Sequence, residues 1–356
     1  MKRFTVSLLT ALAVAGGLSL TLSPLAAQSR AKAVNVPVIP HEAVPGFFKN
    51  PPGIYTGENM GISTDSKGNI YIYHRAGETR LFQYDPTGKF VKEIGRNNYG
   101  ESFAHSVRVD AQDNIWTVDE GTDMLVKFSP AGQVLMTIGR REDPLGSLGN
   151  MPGQGIFHGR NEKYRFGRET DVAWDQQGNI FVADGYFSSR VVKYDKNGRF
   201  IKAVGTRGTE PYQMNIPHSI TADAQGNIYV ADRQNRRIQV FDSNLVLRAI
   251  YDNVGAPWAV CISPGPHQYL FSSNSNPDNN NSLLAAVSGE IYKMELDGTV
   301  IGKFGKPGKQ LGEFSTVHAI DCRNPDELIV SEITAWRAQK IILKPQAQTP
   351  RPSSTK

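Results

Sequence analysis

One phrase occurs six times along the sequence, and this repetition restricts the fold more than any other feature. Four copies are clear and two are weaker: DSKGNIYIYHR (65–75), DAQDNIWTVDE (110–120), DQQGNIFVADG (175–185), DAQGNIYVADR (223–233), PGPHQYLFSSN (264–274) and NPDELIVSEI (324–333). A second phrase follows four of them, as in RLFQYDPTGKFVKEIG (80–95). Where nothing is inserted, the copies are spaced by roughly 42–48 residues, which is the length of a propeller blade.

Each unit is predicted to be a meander of four short antiparallel strands. Alternation such as Asn-Ile-Tyr-Val-Ala-Asp is typical of half-buried strands. The D-x-x-G-N phrase predicts a hairpin turn in which glycine takes the positive φ and aspartate caps the backbone. Six units predict an all-β, six-bladed β-propeller. Its last unit shows three clear strands, and we expect the segment Val34–Ile39 to supply the fourth and close the ring.

The two ends of the chain differ from the repeats. Residues 1–27 are typical of a signal peptide, with Lys2 and Arg3 before an apolar run and a cleavage site near Ala27; a membrane anchor is the alternative. We predict a propeller domain over 28–345 and a disordered tail over 346–356, rich in proline, serine and glutamine. The mature protein is therefore expected to be secreted or periplasmic, with no membrane span.

The charge argues against a nucleic-acid-binding protein, and two cysteines are too few for a fold that rests on a disulfide framework. The net charge of +5 becomes +3 once Lys2 and Arg3 are removed (5 − 2), and no basic stripe is visible, so a nucleic-acid partner is not expected. The two cysteines, Cys261 and Cys322, are one register apart in adjacent repeats. We expect them to point to opposite strand faces and to be buried free thiols. A monomer is the expected state.

Three histidines share one register of the repeat. His105, His218 and His318 each lie nine positions before the turn residue that opens the next strand, in the second, fourth and sixth units. Met60, Thr170 and Trp258 hold this register in the other units. In a six-bladed ring the histidines would be about 120° apart and would converge on the axis as an open three-histidine zinc site.

Three further candidate site residues come directly after second strands. Because a second strand runs back to the end of the channel where the first strand begins, these residues are expected at the same mouth as the histidines. They are Arg75, Tyr186 and Arg233. Tyrosine beside a divalent cation can act as a base, and arginines can bind a carboxylate. Each also has a structural explanation: the arginines could tie strands together, and Tyr186 could pack between blades.

These residues carry a resemblance to a known family. The repeats resemble NHL repeats, and residues 57–343 resemble the propeller of peptidyl-α-hydroxyglycine α-amidating lyase. The matching phrases are TDVA, DGY-x-x-SR, PHS and ADR-x-N-x-RI between Thr170 and Phe241, with YHR at 73–75. The resemblance implies that His105, His218 and His318 bind zinc, that Tyr186 is the catalytic base, and that Arg75 and Arg233 are active-site arginines.

The implied reaction cleaves a C-terminal α-hydroxyglycine to an amide and glyoxylate, so the expected partner is a small molecule or peptide that carries a carboxylate. The family also binds a structural calcium, for which Val107 would supply a carbonyl. Here Ala319 replaces the family's carboxylate, so calcium is expected to bind weakly. Phe187 replaces a family cysteine, and no copper monooxygenase domain is visible in the sequence.

Two other functions remain open from the sequence. A non-catalytic NHL propeller could bind a protein or glycan, and it would tolerate substitution of the three histidines. Another metal-dependent propeller enzyme, such as a lactonase, would need channel carboxylates. None occupies the histidine register, although Asp119, Glu120 and Asp184 are expected near the mouth.

Overall fold

The computed structural model describes residues 32–33, 36–141, 163–275 and 288–344. The predicted signal peptide and tail lie outside these residues. So does most of the two segments, 140–168 and 274–288, whose glycine, asparagine and proline content predicts loops inserted between the repeated elements. All regular secondary structure in the described part is β-strand. In that same part, no helix has the length and hydropathy needed to cross a membrane.

Six four-stranded antiparallel sheets form the predicted six-bladed propeller. Blade 1 contains β2 (Glu58–Thr64), β3 (Ile70–Ala76), β4 (Glu78–Tyr84) and β5 (Phe90–Ile94). Blade 2 contains β6 (Ala104–Val109), β7 (Ile115–Asp119), β8 (Met124–Phe128) and β9 (Val134–Gly139). Blade 3 contains β10 (Glu169–Trp174), β11 (Ile180–Asp184), β12 (Arg190–Tyr194) and β13 (Phe200–Val204).

The second half of the ring follows the same order. Blade 4 contains β14 (Pro217–Ala222), β15 (Ile228–Asp232), β16 (Arg237–Phe241) and β17 (Leu247–Tyr251). Blade 5 contains β18 (Pro257–Ile262), β19 (Leu270–Asn274), β20 (Glu290–Met294) and β21 (Val300–Phe304). Blade 6 contains β22 (Val317–Asn324), β23 (Glu327–Glu332), β24 (Arg337–Leu343) and, from the other end of the chain, β1 (His41–Ala43).

The N-terminal strand that pairs with β24 lies slightly later in the sequence than the predicted segment Val34–Ile39. β1 pairs with β24 through three residue pairs, from His41 with Leu343 to Ala43 with Ile341. The described end of the predicted segment instead pairs with blade 5, where Ile39 N donates to the carbonyl of Lys303 and Lys303 N donates to the carbonyl of Pro37. Pro37 and Pro40 have no N–H to give to a ladder, which explains why regular pairing starts only after them.

The turns form as the repeated phrase predicts. In blade 4, Asp223 Oδ1 accepts the backbone N–H groups of Gln225 (2.9 Å) and Asn227 (2.8 Å), and Gly226 has a φ of +83°. Asp65, Asp110 and Asp175 cap their turns in the same way. These side chains satisfy turn amides that have no strand partner.

The second strands are more buried than the alternating pattern suggested. β7, β11, β15 and β19 are buried at every residue, because both faces of each inner sheet pack against a neighbouring blade. In β15, Ile228 and Val230 pack toward blade 3, whereas Tyr229 and Ala231 pack toward blade 5. The core therefore consists of six apolar layers between blades rather than one central core.

The prediction of free thiols is wrong, because Cys261 and Cys322 form a disulfide with a Cα–Cα distance of 6.1 Å. The register does differ by one residue, but the pairing of β22 with β23 is irregular between Asp321 and Asn324. A bulge turns a side chain away from the face that alternation assigns to it. Cys322 lies in this irregular stretch and points toward the first strand of blade 5.

Candidate metal centre

The three histidines of the shared register meet on the propeller axis. His105, His218 and His318 are each the second residue of a first strand (β6, β14 and β22), and each is at most 4% exposed. Their ring centroids are 4.7–4.8 Å apart, and one nitrogen of each lies within 4.8 Å of the others. Among the described residues, this is the one group of three or more side chains able to hold a metal.

A bulge at the start of each first strand directs these side chains into the channel. The pairing register shifts between Ala104 and Ser106, on either side of His105. The same shift occurs around His218 and His318. Since a bulge re-aims a side chain without ending the sheet, the repeated irregularity presents one residue per blade to the axis.

Backbone carbonyls of the alternate blades orient the imidazoles. Nδ1 of His105 lies 2.6 Å from the carbonyl oxygen of Thr170, Nδ1 of His218 lies 2.7 Å from that of Trp258, and Nδ1 of His318 lies 2.6 Å from that of Met60. A carbonyl only accepts, so each Nδ1 carries the proton and each Nε2 keeps a lone pair. Such a contact typically fixes the tautomer of a metal-binding histidine.

The electrostatics of this layer favour neutral imidazoles. Burial lowers the pKa of His105 and His218 well below the ordinary value and lowers that of His318 to about 3. Neighbouring imidazoles and arginines add to the shift for His105 and His218. A neutral imidazole is the form that binds a metal.

Tyr186 covers this layer from the mouth of the channel. Its hydroxyl oxygen lies 3.4 Å from Nε2 of His105 and 3.5 Å from Nε2 of His218. Burial raises the pKa of Tyr186, and the nearby carboxylate of Glu120 adds to the rise, whereas the guanidinium of Arg233 opposes it. The side chain predicted to be a base is thus within reach of the metal ligands.

The two predicted arginines reach the same mouth from opposite sides. Arg233 is 7% exposed, and its guanidinium carbon lies 4.2 Å from the centroid of the Trp258 ring and 5.5 Å from that of Tyr186. In the described part of the chain its Nε has no hydrogen-bond partner. Arg75 is bound instead by two carboxylates, Glu120 and Glu58. At the mouth, an anion would therefore meet two guanidinium groups. That of Arg233 has a donor without a partner in the described structure, and that of Arg75 is already paired with carboxylates.

The donor set fits zinc. Nε2 of His318 is buried and has no hydrogen-bond partner among the described residues, although an orphaned buried nitrogen is unfavourable. Three Nε2 atoms around an open position match a zinc site with room for one more ligand. The match to zinc rests on the tautomers of the three imidazoles and on the unpartnered Nε2 of His318.

The next layer of the channel does not fit calcium. One register beyond the histidines, the carboxylate of Asp171 accepts six hydrogen bonds, from Ser106, Arg108 (two), Val172, Ser219 and Ile220. The Arg108 guanidinium also reaches the carbonyl of Val260, so it extends from blade 2 to blade 5. The Arg108 guanidinium thus already supplies the cation of this layer, and the buried methyl of Ala319 supplies no ligand.

Comparisons with known proteins agree with this architecture. The NHL repeat family matches residues 214–241. The chain is a six-bladed propeller that contains an NHL repeat. Over 255 residues it is 31% identical to peptidyl-glycine alpha-amidating monooxygenase A of Xenopus laevis, covering 62% of this chain and 25% of that protein. The chain thus spans about a quarter of that relative's length.

Two further relatives carry different names. A probable peptidyl-alpha-hydroxyglycine alpha-amidating lyase of Caenorhabditis elegans is 28% identical over 226 residues, which is 56% of this chain and 59% of that protein. NHL repeat-containing protein 3 of Mus musculus is 27% identical over 307 residues, covering 81% and 80%. A streptogramin B lyase structure superposes with a TM-score of 0.52 at 16% identity, covering 86% of this chain and 98% of that one, and shows the fold alone. The relatives named as amidating lyases support a lyase-like propeller.

Sequence reasoning missed two parts of this site. The carbonyls of Met60, Thr170 and Trp258 were not predicted, although these residues share the histidine register in the alternate blades. Glu120 was placed near the mouth without a role, although it occupies the same repeat position as Arg75 and Arg233. Alignment of all six repeats at that position would have singled it out.

Proposed function

We propose that this chain is an exported, zinc-dependent carbon–nitrogen lyase that cleaves an α-hydroxyglycine-type compound to an amide and glyoxylate. One observation carries the proposal: the tyrosine hydroxyl lies 3.4–3.5 Å from two of three converging imidazoles. Arg75 and Arg233 reach the same mouth and suit a substrate with a carboxylate. The similarity to proteins named as amidating lyases supports the same reaction type.

His105, His218 and His318 would hold the zinc through Nε2. Zinc bound there would supply Lewis acidity toward an oxygen of the substrate. The chain fixes the three nitrogens before the ion arrives, because each Nδ1 is already committed to a carbonyl of the next blade. Ligands that are oriented in advance lose little freedom on binding.

Tyr186 is assigned the proton transfer. The substrate hydroxyl gives its proton to the Tyr186 oxygen, and the C–O bond becomes the aldehyde of glyoxylate. The C–N bond breaks, its electron pair stays on nitrogen, and the proton held by Tyr186 completes the amide. The Arg233 guanidinium favours the phenolate that accepts the proton, since it lowers the pKa of Tyr186 against the effect of burial.

Carboxylate binding is assigned mainly to Arg233. Its Nε is buried without a partner in the described structure, and burial lowers its pKa, so an incoming carboxylate would relieve an unfavourable state. The stacking of its guanidinium on Trp258 holds the plane of the group beside the histidine layer. The mature protein is further proposed to act as a secreted or periplasmic monomer.

The test combines metal analysis with product detection. The mature protein and a His105/His218/His318→Ala triple variant are offered zinc, dialysed and analysed for metal. About one zinc per chain, absent from the triple variant, is the expected result. Glyoxylate release from an N-acyl-α-hydroxyglycine should accompany the zinc-loaded protein alone.

Absence of metal from both proteins would refute the zinc site. It would favour the non-catalytic alternative, an NHL-repeat propeller that binds a protein or glycan. Bound zinc without glyoxylate release would leave a metal-dependent propeller with a different reaction.

A further inference from the structure

One position of the repeat forms a ring of six residues around the mouth. In each blade, the residue just before the histidine register pairs with a residue of the second strand. The ring position is the residue that comes directly after this partner. Its members are Arg75, Glu120, Gly185, Arg233, Ser275 and Ile333. Arg75 and Arg233 are three blades apart and therefore face each other across the axis. Glu120 is the one acidic member of this ring.

Arg75 is fixed at four points. Its Nε donates to the carbonyl of Ala104 (2.9 Å), the residue before His105, and its Nη2 donates to Oε1 of Glu120 (2.7 Å). Nη1 lies 3.4 Å from Oε2 of Glu58. The guanidinium carbon lies 3.3 Å from the centroid of the Phe103 ring. The plane of the guanidinium is thus set by its surroundings rather than by a ligand.

The two carboxylates around Arg75 are not equivalent. The Glu120 side chain is 5% exposed and makes the shorter contact, whereas that of Glu58 is 37% exposed and makes the longer one. Glu120 lies on the axial side, since its charge acts on Tyr186 and Arg233. Without Glu120, the remaining carboxylate would draw Arg75 outward, away from the histidine layer.

We propose that Glu120 is a positioning residue that holds the Arg75 guanidinium over the mouth, opposite Arg233, so that a substrate carboxylate meets two oriented donors. This inference rests on the proposed function, because it assigns how the same site binds its anionic substrate. A buried ion pair of this kind adds little to the stability of the fold, but it fixes the orientation of the two side chains.

The test is a double-mutant cycle on ligand binding. Calorimetry measures the Kd of N-acetylglycine, which has the carboxylate but lacks the hydroxyl that reacts, on the zinc-loaded wild type and on Glu120→Ala, Arg75→Met and the double variant. Glu120→Ala should weaken binding about tenfold, the size expected for one charge-assisted contact, and should add nothing in the Arg75→Met background. Glu120→Gln keeps an oxygen for Nη2 and should stay within about threefold of wild type.

A matched control separates positioning from general damage. Glu93→Ala removes another little-exposed carboxylate, paired with Arg80 at 2.7 Å on the outer strands of blade 1, and should leave the Kd unchanged. Melting temperature and zinc content are measured on every variant. A Glu120→Ala effect that persists in the Arg75→Met background, or wild-type affinity in Glu120→Ala, overturns the inference.

The two proposals fail in different ways. A wild type that neither binds N-acetylglycine nor releases glyoxylate refutes the proposed function, and the role of Glu120 with it. An active wild type in which the effects of Glu120 and Arg75 simply add refutes the positioning role alone.

Discussion

Two adjacent layers of the channel handle buried polar groups in opposite ways. In the histidine layer, three neutral imidazoles converge, and Nε2 of His318 has no partner in the described structure. One register deeper, the carboxylate of Asp171 accepts six hydrogen bonds, two of them from Arg108. The side chains of the histidine layer are able to bind a cation, whereas Arg108 supplies the cation of the deeper layer.

The difference separates a site from a structural element. Buried polar groups in proteins are almost always paired, so converging donors without protein partners are typical of a binding site, whereas a fully hydrogen-bonded group is typical of a structural element. Both layers are built from the first strands of the same repeat, so the fold alone does not distinguish them. Their hydrogen bonds do.

Tyr186→Phe should produce the largest effect, confined to the histidine layer. Loss of the proton acceptor is expected to lower the rate of glyoxylate release about 10³-fold, while zinc content stays at one per chain because the hydroxyl is not one of the three nitrogen donors. Tyr251→Phe is the control, since its hydroxyl donates to the carbonyl of Leu296 on the outer part of the propeller. Near-normal turnover in Tyr186→Phe would refute its assigned role.

Arg108→Met should produce the next largest effect, in the deeper layer. It leaves a buried carboxylate without its cation, and we expect a loss of about 3–5 kcal/mol in the free energy of unfolding by urea. Arg248→Met breaks an exposed pair with Asp242, in which the arginine is 60% exposed, and should cost less than about 1 kcal/mol.

A second substitution sharpens the test of the deeper layer. Arg108→Met combined with Asp171→Leu removes both charges and should recover part of the loss, because no unpaired ion remains. Equal losses for Arg108→Met and Arg248→Met would show that the buried pair has no special role.

Acid should weaken the metal-free protein through the histidine layer. His318 has a folded pKa of about 3, below the unfolded value of about 6.5, so the unfolded chain binds more protons between these limits. Its stabilising contribution is complete above pH about 6.5 and is lost as the pH falls toward 3. Urea unfolding from pH 7 to pH 4 should show a shallower decline in a His318→Asn variant; parallel curves would contradict the assignment.

Calcium chelation should have no measurable effect. Because the Arg108 guanidinium already pairs with the carboxylate of the deeper layer, the melting temperature should not change when a calcium-selective chelator is added. A zinc-selective chelator should lower it, because ligand bound to the native state adds stability by mass action. A melting temperature that rises with added calcium would mean that a calcium site exists elsewhere or that Arg108 moves aside.

Local patterns in the sequence predicted the blades and the main site residues. The D-x-x-G-N turns depend on contacts within five residues, and the alternating strands depend on period two, so both can be recognised without tertiary information. The convergence of His105, His218 and His318 followed from equal spacing around a closed ring. These are the parts of the structure that repetition itself determines.

Interactions that break the repeat could not be predicted in this way. The disulfide depends on an irregularity between Asp321 and Asn324 that no residue type marks. The acceptors for the imidazole Nδ1 atoms are backbone carbonyls. Every residue has a carbonyl, so the residue type does not indicate which one binds a histidine. The Arg108 interaction with Asp171 crosses from blade 2 to blade 3, and its geometry depends on the channel width rather than on local sequence.

The three-residue pairing of β1 with β24 has a mechanical consequence. The two strands are antiparallel, and His41 at the start of β1 faces Leu343 at the end of β24. A force that pulls residues 40 and 344 apart therefore acts at one end of the ladder and opens its bonds in succession, as a zipper does, rather than shearing them together. Tethering the protein by both ends would peel off the outer strand of blade 6 at low force, while the disulfide would still hold the inner strands of blades 5 and 6 together.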